Sequence, residues 1–166
     1  MQTVIIGNSG SGKTWLAKRL AEIDAAQVLH LDDIFWLPGG FNKKRDTTEV
    51  SRIIDAARVG DNWVAEGVFG NLAAQFLLSA STLVWLDLPW AVCRERLALR
   101  GSESKAHMGR KQSEAGLREL MQWAQDYPTR GGSSGHAAHL KLFGSFKGTR
   151  LRLGSESQVL EYLAAT

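Results

Sequence analysis

Gly7-Asn8-Ser9-Gly10-Ser11-Gly12-Lys13-Thr14 is the stretch on which the fold turns. It satisfies the pattern G-x-x-x-x-G-K-[ST] in full. A turn of this composition wraps anionic oxygens with successive backbone N–H groups, and its glycines permit close approach and unusual dihedrals. Lys13 can reach the β- and γ-phosphates of a nucleotide, and Thr14 can ligate Mg2+. A helix starting near Lys13 points its positive end at the same oxygens. A chain of 166 residues matches this pattern by chance roughly once in a few hundred cases at average residue usage. The plainer reading is an ordinary glycine-rich turn between a strand and a helix.

The surroundings supply the context that the phosphate reading needs. Thr3 to Ile6 are β-branched or apolar and read as a buried parallel strand ending at Gly7. Beyond the loop, Leu16, Leu20 and Ile23 recur at helical spacing. Gln27 to Leu31 read as a second strand, Trp63 to Ala65 as a third, closed by Glu66-Gly67, and Thr82 to Leu86 as a fourth. Asp46 with Glu49 reads as a helix start, followed by an inward face of Val50, Ile53, Ile54 and Ala57 that stops at Gly60. Further helices are expected from about Trp90 to Arg100, through Leu117, Leu120, Met121 and Ala124, and through Leu140 and Phe143. Thr149 to Leu153 alternate strictly, as in a strand with one exposed face. Ser155 and Gln158 form a capping box for a last helix with Val159, Leu160 and Leu163 inward. Strands alternating with helices call for a parallel sheet covered on both faces, in one α/β domain over 1–166.

Composition narrows the setting. Hydrophobic residues make up 44% of the chain, a globular proportion. The longest apolar runs fall short of the roughly 20 residues that cross a bilayer, and the first residues enter a strand without a basic leader. With Cys93 the single cysteine, no internal disulfide can form, and a reduced, cytoplasmic protein is expected. A net charge of +3 suits an anionic ligand but argues only weakly for nucleic acid.

Among nucleotide-binding classes, a Ras-like GTPase would need Asn-Lys-x-Asp; Asn42-Lys43-Lys44-Arg45 lacks the carboxylate. Motor ATPases and helicases need more chain and paired acidic residues after a late strand. Trp63-Val64-Ala65-Glu66-Gly67, and Leu83-Val84-Trp85-Leu86-Asp87-Leu88-Pro89 followed by Arg94, Arg96 and Arg100, resemble adenylate kinases and related nucleoside monophosphate kinases. His30-Leu31-Asp32-Asp33-Ile34-Phe35-Trp36, with Trp63 to Gly67, is similar to the bacterial adenylate-kinase-like topology modulation proteins, also called FlaR-like. The resemblance implies a three-layer P-loop fold, a five-stranded parallel sheet of order 2-3-1-4-5 and a short lid. It also implies binding of ATP with Mg2+, and it leaves the acceptor open.

Within that frame, Gly7 to Thr14 hold the phosphates, and Thr14 with Glu66 organise Mg2+. Glu66 ends a strand beside the loop strand; its other reading is a carboxylate capping the next turn. Asp32 follows the second strand at the sheet edge where ligands bind and can take the acceptor's proton or help hold Mg2+. Asp33 is an alternative helix cap, and His30 is expected to bond locally. Arg96 and Arg100 share one helical face and, by resemblance, contact the nucleotide and its phosphates. The region 33–62 is the expected acceptor site. There Phe35, Trp36 and Phe41 either wall a pocket or cover the sheet edge, and Lys43, Lys44 and Arg45 either bind an acidic acceptor or stay solvated. Residues 101–112, with Lys105, Arg110 and Lys111, read as the lid. Gly154-Ser155 sits where backbone groups contact adenine in the resembling kinases, and also reads as a simple cap. The expected function is a small-molecule kinase. The rivals are a nucleotide-dependent regulator, with DNA as its candidate partner, and a simple nucleotide hydrolase.

Overall fold

The apolar, β-branched run after Met1 becomes the central strand of the molecule. The structure is a computed structural model and describes residues 1–39, 43–101 and 114–166. Its strands are β1 (Gln2–Gly7), β2 (Gln27–His30), β3 (Trp63–Gly67), β4 (Thr82–Leu86) and β5 (Thr149–Leu153). Between them run α1 (Lys13–Asp24), α2 (Leu31–Phe35), α3 (Thr47–Ala57), α4 (Gly70–Phe76), α5 (Trp90–Arg100), α6 (Glu114–Gln125) and α7 (His136–Ser145), and α8 (Glu156–Ala164) follows β5. A 3-10 turn covers Gly132–Ser134.

All five strands are parallel in the order β2-β3-β1-β4-β5, as expected. Alternation along each strand divides the side chains between two helical layers. Val4, Ile6, Trp63, Ala65, Leu83 and Trp85 pack with residues of α3, α4 and α7. Ile5, Val64, Val84 and Leu86 pack with Leu16 and Leu20 of α1 and Val159 of α8. The central strands are buried on both faces, which is why they read as continuous apolar runs. Among the described residues no helix is long and apolar enough to cross a membrane.

Local signals set several boundaries. The Asp46 carboxylate accepts from the backbone N–H groups of Thr48 and Glu49 at 3.0 and 3.3 Å, capping α3, a contact worth about 1 kcal/mol. Ser155 caps α8 by accepting from Gln158 N, while the Gln158 side chain receives Gly154 N at 2.7 Å.

Four details depart from the sequence reading. The second strand stops at His30, and Leu31 opens α2. Leu31 is fully buried beneath Gly67, where a Cβ would stand only 2.6 Å from its own, so the chain turns inward there. Asp33 lies inside α2, and His30 takes the cap position. Leu160, expected inward, is 52% exposed and lines a cleft; Ile23, at helical spacing with Leu16 and Leu20, is 50% exposed, since Leu16, Ala17 and Leu20 already complete the buried face of α1. Helix α4 was not foreseen; its Leu72, Ala73 and Phe76 fill the core. The expected lid falls, from residue 102 to 112, outside the described residues, as does Phe41.

Candidate active site

The phosphate loop lies between β1 and α1, at the carboxyl edge of the sheet. Gly10 and Gly12 have φ of 80° and 95°, values that strain residues with a side chain. At Gly10 a Cβ would also run into the Cys93 carbonyl, on α5. The loop is held from within and from outside. Asn8 Oδ1 accepts from Ser9 N at 2.8 Å, and Asn8 Nδ2 donates to Ala124 O of α6 at 2.8 Å. Lys13 Nζ donates to Asn8 O at 2.8 Å, spanning the loop, and its side chain is buried. Ser11 Oγ is buried and, among the described residues, has no hydrogen-bond partner. A buried hydroxyl in that state fits a cradle built for an anion.

Glu66 is the penultimate residue of β3, beside Ile5 of β1 and His30 of β2 in register. Parallel neighbours in register point to the same face, so His30 and Glu66 meet. His30 Nδ1 lies 2.6 Å from Glu66 Oε1, and the Thr14 hydroxyl donates to the same oxygen at 2.9 Å. The bond to Glu66 holds the His30 pKa above its ordinary value despite burial. Burial pushes Glu66 upward, but the His30 hydrogen bond and the Lys13 charge outweigh it, leaving Glu66 below the ordinary carboxylate value. The result is an ionised carboxylate beside a P-loop threonine, a donor set that suits Mg2+. Among the described residues no group of three or more His, Cys, Asp or Glu could hold a metal unaided. Mg2+ here would need phosphate and water oxygens as well, which is its usual habit.

Arg96 and Arg100 project from one face of α5, as their spacing predicts. Arg96 Nη1 donates to Ser11 O at 2.9 Å, and its Nη2 pairs with Glu156 of α8 at 3.2 Å. Both arginines line a cleft of about 260 Å³ with Gly12, Trp15, Val159 and Leu160. Arg100 also reaches a smaller polar cleft with Lys13, Thr14, Asp32 and Glu66. One arginine thus borders both an apolar slot and the phosphate-loop cleft.

Asp32, in the first turn of α2, lines that polar cleft and also a cavity of about 760 Å³ next to it. Aromatic rings wall this cavity. Phe35 stacks on Phe69 at 4.0 Å between centroids, and Trp36 meets Phe35 edge-on at 4.7 Å. Trp123 of α6 lines the cavity too, with the Arg130 guanidinium 3.4 Å from its ring centroid. Of the basic run, Lys44 lines the cavity, whereas Arg45 bonds to the carbonyls of Ile34, Asp33 and Trp36 and to Glu49.

Sequence reasoning missed the cavity walls beyond position 62: Val68, Phe69, Asn71, Trp123 and the Ser133-Ser134 turn. It also missed a buried polar chain behind them. Trp85 Nε1 donates to Tyr127 Oη at 3.1 Å, Tyr127 Oη lies 2.8 Å from His139 Nδ1, and His139 Nε2 lies 2.8 Å from Val68 O. With Tyr127 donating to Nδ1 and the imidazole donating from Nε2, a neutral His139 satisfies every member. Burial holds the His139 pKa down at about 4 and pushes the Tyr127 phenol well up.

No protein-family model matches the chain, and no curated protein matches it. Solved structures do. A gluconokinase from Sinorhizobium meliloti 1021 superposes with a TM-score of 0.53 at 16% identity, covering 99% of this chain and 91% of that one. A shikimate kinase from Aquifex aeolicus does so with a TM-score of 0.52 at 16% identity, covering 99% of this chain and 95% of that one. With the strand order above, these likenesses define the class by architecture: the chain has the fold of the small P-loop kinases.

Proposed function

We propose that this protein transfers the γ-phosphoryl group of Mg-ATP to a hydroxyl of a small acceptor. The observation that carries this reading is the position of Asp32, which borders both the Lys13–Thr14–Glu66 cleft and the aromatic-walled cavity. Donor and acceptor bound in those neighbouring spaces would meet beside its carboxylate.

The loop amides, Ser11 Oγ and Lys13 hold the triphosphate. Thr14 and Glu66 hold the Mg2+, which when bound neutralises phosphate charge. Asp32 orients the acceptor hydroxyl and takes its proton. As the acceptor oxygen bonds to the γ-phosphorus, the bond from that phosphorus to the β–γ bridging oxygen breaks, and its electron pair leaves with ADP. Arg100, and Arg96 beside it, supply N–H donors to the charge on the transferring group. Positioning and electrostatics carry most of the rate, as is usual for this chemistry. The narrower resemblance to the topology modulation proteins belongs with this reading, since His30 and Glu66, two of the residues that carry it, bond to each other beside Thr14.

Calorimetry with Mg-ATP, followed by ADP formation with and without a panel of hydroxyl compounds, tests the proposal. Nucleotide uptake and acceptor-dependent ADP release are expected. A folded protein that takes up neither ATP nor GTP with Mg2+ sinks the reading. Phosphate release that no acceptor changes would replace it with a hydrolase, and salt-sensitive DNA binding without transfer would replace it with a regulator.

A further inference from the structure

The phosphate-loop pattern leaves position 8 open to any residue. In this chain Asn8 fills it, and the residue is only 4% exposed. We infer that, on the phosphoryl-transfer reading, Asn8 is a positioning residue. Its side chain ties the phosphate loop to the last turn of α6, so that filling the loop with donor resets the aromatic wall on the acceptor side.

The Asn8 amide is engaged at both ends. Oδ1 accepts from Ser9 N inside the loop, and Nδ2 donates to Ala124 O of α6, each at 2.8 Å. Turning the amide over would set its oxygen against the Ala124 carbonyl and its NH2 against the Ser9 N–H, so one orientation alone satisfies both contacts. The main chain of the same residue is committed as well. Asn8 O accepts from Ser11 N at 3.2 Å and from Lys13 Nζ at 2.8 Å. A phosphate entering the loop competes for the Lys13 ammonium and for the loop amides. Asn8 sits where that competition is felt, and its side chain carries any adjustment outward.

The receiving end is the close of a helix. α6 ends at Gln125, and the carbonyls of a last helical turn have no partner within the helix. Ala124 O is capped by Asn8 Nδ2, together with Tyr127 N at 3.3 Å. Trp123 O is capped by Arg130 Nη2, and the same guanidinium lies 3.4 Å from the Trp123 ring centroid. The Trp123 ring is thereby clamped to its own turn and follows it. Trp123 lines the aromatic cavity, and Leu120, one turn earlier, lines both that cavity and the Lys13–Thr14–Glu66 cleft. A shift of this turn therefore alters the wall between the two spaces. A second route from loop to wall runs through α5, which packs on α6 and whose Arg96 bonds to Ser11 O.

Fluorine NMR on the full chain grown with fluorotryptophan separates the two routes. Loss of a signal in Trp123→Phe identifies Trp123, and the buried Trp63 serves as the check on folding. The probe is Mg2+ with a non-hydrolysable ATP analogue, its uptake followed by calorimetry. In the parent, saturation with the analogue should move the Trp123 signal. In Asn8→Ala and Asn8→Asp, compared at saturation so that a weaker affinity does not enter, that response should be lost. Asn8→Asp is the stricter variant, because it keeps the acceptor for Ser9 N and removes the donor to Ala124 O. A Trp123 response that survives in the Asn8 variants assigns the coupling to the α5 route and overturns the inference. So does a parent that takes up the analogue while its Trp123 signal stays still. Loss of folding or of uptake in both Asn8 variants overturns it too, since Asn8 then serves the loop alone. A folded parent that takes up no analogue brings down the phosphoryl-transfer reading itself, and the inference falls with it.

Discussion

His30 Nδ1 lies 2.6 Å from Glu66 Oε1, the oxygen that also accepts the Thr14 hydroxyl. The pair is built by register, since His30 and Glu66 are direct neighbours on β2 and β3. A carboxylate fixed from two sides keeps its charge and its aim. If it serves Mg2+, Glu66→Gln should raise the Mg2+ concentration that half-saturates nucleotide binding by about tenfold or more, with His30→Gln acting in the same direction by less. Titrating Mg2+ against ATP-analogue binding in each variant checks this; an unmoved midpoint in Glu66→Gln removes Glu66 from the metal site.

Arg96 makes a sharper comparison, because its two contacts differ in kind. The bond to Ser11 O is partly buried and ties α5 to the phosphate loop. The pair with Glu156 is exposed, the Glu156 side chain being 71% accessible, and such pairs are worth little. Arg96→Leu should therefore weaken ATP binding by roughly tenfold to a hundredfold, on the scale of a charge-assisted bond of about 1.5–3 kcal/mol. Glu156→Gln should change it less than about twofold. Equal losses in both variants would mean that the surface pair, and not the loop contact, matters.

What the sequence disclosed and what it withheld follow the range of the interactions. Gly7 to Thr14 lie together in sequence and in space, so the loop, its flanking strand and its helix were legible at once. Apolar runs and their spacing exposed the strands, and through resemblance the 2-3-1-4-5 order. Glu66 was legible as the end of a core strand, but its bond to His30 depends on a register that no local pattern states. The Trp85–Tyr127–His139–Val68 chain joins residues far apart in sequence, with no periodicity to announce it. Arg130 could not be placed from sequence because it acts on Trp123 through the shape of the turn after α6. Phe35 and Trp36 were legible as aromatic candidates; Phe69, which stacks on Phe35, looked like any residue after a strand.

Asp32 and Lys13 should separate chemistry from binding. Asp32 borders both the phosphate-loop cleft and the aromatic-walled cavity, so on the proposed transfer Asp32→Asn should lower kcat by about 10²–10⁴-fold. ATP affinity should stay within a few-fold of the parent. Lys13→Ala removes a buried ammonium that spans the loop and should depress ATP binding and turnover together, with turnover down by at least about a hundredfold. Single-turnover rates and analogue affinities, measured once an acceptor is found, resolve the two patterns. An Asp32→Asn enzyme with full turnover assigns the proton to another group.

His139 gives the protein a pH dependence of folding that is separable from its chemistry. Its imidazole is fully buried, and burial holds its pKa at about 4, against an ordinary 6.5. Between those values the unfolded chain binds a proton that the native state refuses. Stability due to this group is complete above pH 6.5 and is lost as the pH falls toward 4. The loss approaches about 3 kcal/mol. His139→Gln cannot titrate. It should be less stable than the parent at pH 7.5, by about 1–3 kcal/mol, because the Tyr127–His139–Val68 connection is disturbed. On acidification the parent loses its advantage and the two curves converge. Urea unfolding of both proteins at several pH values between 7.5 and 4 measures the gap directly. A gap that stays constant over that range would mean that His139 does not enter the native state neutral and that the buried chain is wired differently.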